Sequence, residues 1–298
     1  EYTLGEAIDA YIALKEPVLS PTTVDGYRRI RQNSFQCIMN MKIKKITETD
    51  LQQAINTELS RDARRRAGST GRVSTKTVKN AFGLVSAALG KYRQGFLYSV
   101  TFPAPEQRTP QLATPDKIFQ VVKGTPIELP VLLAMWLSLS LSEIRGLTKS
   151  KSILDGKYLR VKDVIVDVGS DHVRKAMPKA QRRNRYLEVP PYIMNLIAQV
   201  PGDVIVPMTG QAIYSRWRRL LKKNNIPHMT FHDLRHVNAS VMAMLNIPEK
   251  YALERGGWKT PAVMKNIYQS TFEAGRTQAD AIMDTYFERA LGIQSEKI

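Results

Sequence analysis

The 298 residues carry 44 Lys and Arg against 27 Asp and Glu, a formal charge of +17, on a composition that is 43% hydrophobic and 24% charged. That balance excludes a disordered tail and fits a folded, basic protein of two domains. No run approaches the roughly 18 apolar residues of a membrane span, no basic and apolar leader opens the chain, and a single cysteine, Cys37, excludes an internal disulfide and a thiolate zinc site. A reducing cytoplasm is the expected location. The surplus charge points to a polyanion that releases counterions when bound, nucleic acid first, with a solubilising surface as the competing reading. The chain opens at Glu1 without a methionine, as a fragment of a longer protein would.

The first hundred residues read as four helices. Thr3 and Glu6 form a capping box ahead of Ala7, Ile8, Tyr11 and Ile12, and Ser20 with Pro21 forms an N-cap and first-turn proline. Cys37, within SFQCIMNM, reads as buried apolar filler. Thr47 caps a third segment through Leu51, Ala54 and Ile55, and Val78, Phe82, Val85 and Leu89 recur at helical spacing in a fourth from about Thr75. Between them, SRDARRRAGSTGRVSTK is a basic loop whose Arg64, Arg65, Arg66 and Arg72, with Lys76 beyond, are candidate DNA contacts.

Four prolines, Pro103, Pro105, Pro110 and Pro115, mark a linker, and the domain boundary is set at 104/105, giving domains 1–104 and 105–298. Thr114 and Pro115 restart a helix. The apolar run from Leu129 through Trp136 to Leu147 reads as one long buried helix. Alternating residues from 153 to 190, with turns at Asp155–Gly156 and Gly169–Ser170, predict a small antiparallel sheet. The fold class is therefore mainly α with a small antiparallel β-sheet, a helical domain followed by an α+β domain.

Within that sheet, PKAQRRNRYLEVP puts Lys179 on a hairpin tip, followed by Arg182, Arg183 and Arg185. Arg174 and Lys175 precede it. Alone, such a run reads as a solvated face; with other signals, it is a DNA-backbone contact. TFHDLRH places His232 and Arg235 at i, i+3, on one helical turn, where an imidazole and a guanidinium can hold two oxygens of one phosphate. Separately, His228, His232 and His236 recur every four residues, but without a cysteine pair or H-E-x-x-H the metal reading is set aside and no metal or cofactor is expected. Twenty-two residues after His232 begins ERGGWKTPAVMKNIYQST, with Trp258 and, ten residues later, Tyr268.

This ordered series, a β-hairpin lysine, H-x-x-R, G-G-W and a tyrosine, resembles the tyrosine recombinase, or phage integrase, family over nearly the whole chain. The resemblance implies a helical core-binding domain that clamps duplex DNA together with a catalytic domain. It makes Tyr268 the residue that cuts a strand to a 3′-phosphotyrosyl link, Arg235 the cation that stabilises the phosphate, His232 the group that helps the tyrosine lose its proton, Trp258 a phosphate donor that also buttresses the tyrosine, and Lys179 the general acid. The chemistry is consistent with these types: preplaced cations favour the charge that builds on the non-bridging oxygens, and an ammonium can protonate the departing 5′ oxygen. One match fails. Where the family has its first catalytic arginine, in a segment resembling G-L-R-x-S-E-I, WLSLSLSEIRGL has Ser140. Arg145 lies about 140° around and about 7.5 Å along an ideal helix from that place, so it is expected at the surface or on DNA backbone.

The apolar stripe Ala279, Ile282, Met283, Tyr286, Phe287 and Ala290 reads as a C-terminal helix, folded on its own domain or, as the resemblance implies, docked on a neighbouring protomer. Expected partners are double-stranded DNA attachment sites, further copies of this chain in a tetramer on DNA, and DNA-bending accessory proteins. The chain is expected to be a recombinase impaired at Ser140. The alternatives are a non-catalytic DNA-binding regulator with the same clamp, which Ser140 favours, and a type IB topoisomerase.

Overall fold

The computed structural model describes residues 1–63, 71–104, 111–176 and 185–258, with Thr260 and Met283. The chain splits into two compact units, one over Glu1–Arg108 with Val168–Asp171 and one over Thr109–Asp167 and His172–Ile298. Among the described residues no helix is long and apolar enough to cross a membrane.

Four helices make up the described part of the first unit: α1 (Leu4–Lys15), α2 (Pro21–Asn33), α3 (Glu48–Ser60) and α4 (Thr75–Tyr92). Their starts are set by local chemistry. The Thr3 hydroxyl accepts the Glu6 N–H while the Glu6 carboxylate accepts the Thr3 N–H at 2.7 Å, and Thr47 with Asp50 repeats the device on α3. Ser74 caps α4. Pro21 opens α2, but Ser20 makes no cap bond; its hydroxyl lies 3.0 Å from that of Thr22. Leu4, Ile8, Phe35, Leu51, Ile55, Val85 and Leu89 share one core. Cys37 is exposed, contrary to its expected burial. It lies in the turn after α2, where Phe35, Ile38 and Met39 take the inward positions and leave it outside.

The second unit is mixed: α5 (Pro115–Val122), α6 (Glu128–Met135), α7 (Leu141–Gly146), α8 (Lys149–Ser152), β1 (Ile153–Leu154), β2 (Tyr158–Val161), β3 (Asp163–Val168), β4 (Asp171–Ala176), β5 (Arg185–Glu188), α9 (Pro191–Gln199), α10 (Gly210–Lys223), α11 (Asp233–Met244) and α12 (Glu249–Gly256). Strands β1, β2 and β5 form one antiparallel sheet in that order, and β3 pairs with β4 across the Gly169–Ser170 turn. The β2–β5 register sets Leu159 opposite Leu187 and Val161 opposite Arg185. Period-two alternation buries Leu159, Val161, Arg185 and Leu187 on one face and turns Tyr186 and Glu188 outward.

The single long helix expected over Leu129–Leu147 is instead two. Helix α6 stops at Met135, Ser138 takes a left-handed backbone (φ 55°), and α7 restarts on a capping box in which Ser140 and Glu143 satisfy each other's N–H groups. Distant side chains take the carbonyls that would have continued the helix: those of Met135 and Trp136 accept from Asn238, and that of Ser138 accepts from Arg185 and Arg235. Gly146 closes α7 against β3, where a Cβ would lie 2.2 Å from the Asp163 carbonyl oxygen, so this position has room only for glycine.

Candidate active site

The turn between α6 and α7 is the floor of the site. Glu143, 1% exposed, accepts from Arg185 Nη1 at Oε1 (3.2 Å), and at Oε2 from Arg235 Nη1 (3.3 Å) and the Ser140 N–H (2.7 Å). Burial acts to raise its carboxyl, but the two guanidiniums and the Ser140 bonds outweigh it and hold the group below the ordinary value. Both arginines also donate to the Ser138 carbonyl. Each reaches the end of α12 as well: Arg185 Nε donates to the Arg255 carbonyl at 2.9 Å, and Arg235 Nη2 to that of Gly256 at 2.8 Å. Arg255 donates to the Trp136 carbonyl at 3.1 Å, and burial pushes its guanidinium down from the usual value.

Thr230 and Asp233 exchange side-chain to backbone bonds that start α11. This places His232 exposed at the helix start and Arg235 buried one turn on. His236 packs edge-on against the His232 ring at 5.4 Å, and burial lowers its imidazole below the usual value. At the end of α12 the two glycines have separate reasons. A Cβ on Gly256 would sit 2.3 Å from the Trp258 ring, whereas Gly257 adopts φ 64° to end the helix. Trp258 is thereby folded into a small core with Ala239, Met242, Ala252 and Leu253, its ring 5.6 Å from the Arg235 guanidinium. H-x-x-R and G-G-W, distant in sequence, thus meet through Arg235.

Ser140 stands beside this cluster as the cap of α7. Arg145 is not at the surface: it is 6% exposed and donates to both Asp167 oxygens at 2.8 Å, with His172 Nδ1 2.6 Å from Asp167. Burial works to raise the Asp167 carboxyl, but Arg145 and His172 hold it below the usual range. The partner that buries Arg145 comes from β3, 22 residues along. Arg174 donates to the Gly146 carbonyl at 2.8 Å, and Lys175 is half-buried on β4. Arg72 and Lys76 are exposed. Tyr268, Lys179, Arg64, Arg65, Arg66, Arg182 and Arg183 lie outside the described residues, as does the C-terminal stripe apart from Met283. Among the described residues no group of three His, Cys, Asp or Glu side chains could hold a metal.

Two features escaped the sequence reading. Arg185, grouped there with a basic run, is buried; its signal was its inward position in the alternation Arg185, Leu187, Val189. Helix α10 buries Ile213, Trp217 and Leu221 at a spacing of four and leaves Arg218, Arg219, Lys222 and Lys223 exposed, a pattern visible in RWRRLLKK.

Residues 131–274 match the Phage integrase family, and residues 3–59 match the Phage integrase, N-terminal SAM-like domain. The prophage phiRv2 integrase of Mycobacterium tuberculosis H37Rv is 25% identical over 166 residues, 50% of this chain and 44% of that protein. The integrase of Mycobacterium phage D29 is 27% identical over 179 residues, 53% of this chain and 47% of that one. The chain thus spans about half the length of these curated relatives. Among solved structures, the Tn1549 transposon integrase in complex with a circular intermediate DNA superposes with a TM-score of 0.74 at 17% identity, covering 95% of this chain and 100% of that one. A lambda integrase dimer bound to a COC′ core site gives 0.63 at 17%, covering 91% and 97%. These are likenesses of fold. The SAM-like match in the helical unit, followed by the phage integrase match across the α6–α7 turn, H-x-x-R and G-G-W, places this chain in the phage integrase, or tyrosine recombinase, family.

Proposed function

We propose that the protein is a site-specific DNA recombinase that cuts and rejoins strands through a 3′-phosphotyrosyl bond on Tyr268. The tyrosine oxygen attacks the scissile phosphorus, the P–O5′ bond breaks, and Lys179 protonates the departing oxygen. Arg235 offsets the charge that builds on the non-bridging oxygens, His232 assists proton transfer at the tyrosine, and Trp258 buttresses the site. The observation that carries this reading is the convergence of Arg235, exposed His232 one turn away and Trp258 on its guanidinium. Residues 1–104 and 105–298 would close on duplex attachment sites as a clamp. Four copies would assemble through the C-terminal helix, with DNA-bending proteins as helpers.

Ser140 makes this chain an impaired form, because one of two phosphate-facing guanidiniums is lacking. The same residue supports a second reading, a regulator that clamps DNA without cutting it. A nicked suicide substrate carrying the attachment core separates the two. The recombinase reading expects a covalent protein–DNA band from the Ser140→Arg chain, and none once Tyr268→Phe is added. Binding without a band in either chain sinks it in favour of the regulator.

The exposed cations of α10 are assigned to the DNA backbone. Replacing both Arg218 and Lys222 by alanine is expected to weaken binding to all sequences alike. It should also flatten the slope of log K against log salt by roughly 0.9 for each phosphate that is no longer neutralised. A fluorescence-anisotropy salt titration with an unchanged slope would remove α10 from the interface.

A further inference from the structure

We propose that Arg185 is a positioning residue for strand cleavage: it closes the frame that aims Arg235. The inference rests on the recombinase reading above. Arg185 opens β5, where the β2–β5 register turns it inward opposite Val161. Its three nitrogens bind three acceptors on two pieces of chain, the α6–α7 turn and the end of α12. Nε takes the Arg255 carbonyl at 2.9 Å, Nη1 takes Glu143 at 3.2 Å and Nη2 takes the Ser138 carbonyl at 3.1 Å.

Arg235 rests on the same frame, on the other Glu143 oxygen, the same Ser138 carbonyl and the Gly256 carbonyl next to that of Arg255. Neither the carboxylate nor the two backbone segments can shift relative to Arg185 without moving the seat of Arg235. Sequence adds a second coupling, because Arg185 follows Lys179 by six residues. One guanidinium therefore pins the strand that leaves the Lys179 segment to the frame that holds Arg235. Arg185 Nε, Nη1 and Nη2 each donate to a protein acceptor, and its role in the proposal is to hold the acceptors that it shares with Arg235. A planar fork can bridge three acceptors in fixed directions, which a lysine ammonium cannot do.

The test measures single-turnover cleavage of the nicked substrate at saturating protein, and DNA affinity separately, in the chain as it stands and in its Ser140→Arg form. Arg185→Lys keeps a positive charge beside Glu143. It is expected to bind DNA within about threefold of its parent and to cleave about tenfold to a hundredfold more slowly, the scale of effect that misplacing a reacting group by about 1 Å produces. Leu187→Ala, on the same face of β5 but outside the frame, should lose stability and keep its cleavage rate. Cleavage by Arg185→Lys at the parent's rate overturns the proposal. So does an equal slowing by Leu187→Ala, or an Arg185→Lys protein that fails to fold, since either makes Arg185 a residue that only holds the fold. No covalent band in either parent instead removes the recombinase reading, and this proposal with it.

Discussion

Replacing Ser140 by arginine is expected to raise strand cleavage by about a hundredfold to a thousandfold with little change in DNA affinity. Each preplaced donor on a developing oxyanion is worth about 2.7 to 4 kcal/mol in the transition state and far less in the ground state. The substitution removes a cap hydroxyl, which costs about 0.5 to 2 kcal/mol of stability where such a cap is strong. Here the cap is weak on one side: the Glu143 N–H reaches the Ser140 hydroxyl at only 3.4 Å. The stronger half, the Ser140 N–H on the Glu143 carboxylate at 2.7 Å, belongs to the backbone and survives the change. The cost falls on folding and the gain on chemistry, so they separate cleanly in a cleavage time course run beside a thermal melt. Equal rates from the two chains would show that position 140 does not limit this protein.

Replacing Glu143 by leucine should be the most damaging single change to stability in the second unit. It leaves the Arg185 and Arg235 guanidiniums buried together without the carboxylate they share, a loss of about 3 to 5 kcal/mol. For a unit of this size the melting temperature should fall by about 6 to 20 °C. Glu143→Gln keeps the shape and tests the charge through pH. Because the folded-state carboxyl is held below its ordinary value, its contribution is complete above the unfolded-state value and is lost as pH falls through the folded one. The stability gap between parent and Glu143→Gln should therefore be wide at pH 7 and narrow on acidification. Urea titrations at several pH values that show a constant gap would mean that Glu143 acts by shape alone.

Much of the architecture was legible because its causes are local. Thr3 with Glu6, Thr47 ahead of α3 and Thr114 with Pro115 are signals that act within four residues, and each stands at a helix start. The alternation from 153 to 190 likewise marked strands. The break between α6 and α7 is hidden in the sequence although Ser140 and Glu143 spell a capping box, because apolar residues continue past Trp136 as Leu137, Leu139 and Leu141. What stops α6 is nonlocal. Asn238, Arg235 and Arg185 arrive from α11 and β5 to take the carbonyls of residues 135, 136 and 138.

The same division runs through the candidate site. H-x-x-R and G-G-W could be recognised by order and spacing, and the need for two glycines before Trp258 follows from a ring contact and a left-handed turn at neighbouring positions. Arg145, expected at the surface or on DNA backbone, and Arg185, grouped with a basic run, are both buried. Whether an arginine is buried depends on a carboxylate brought to it from elsewhere, Asp167 from 22 residues away and Glu143 from 42. By itself, then, the sequence determined where most helices begin, which strands alternate and which family series the chain carries, since these depend on neighbours in the chain. Only the tertiary structure decided where the apolar run breaks and which charges are buried, because removing an ion from water is tolerated only beside the partner that folding delivers.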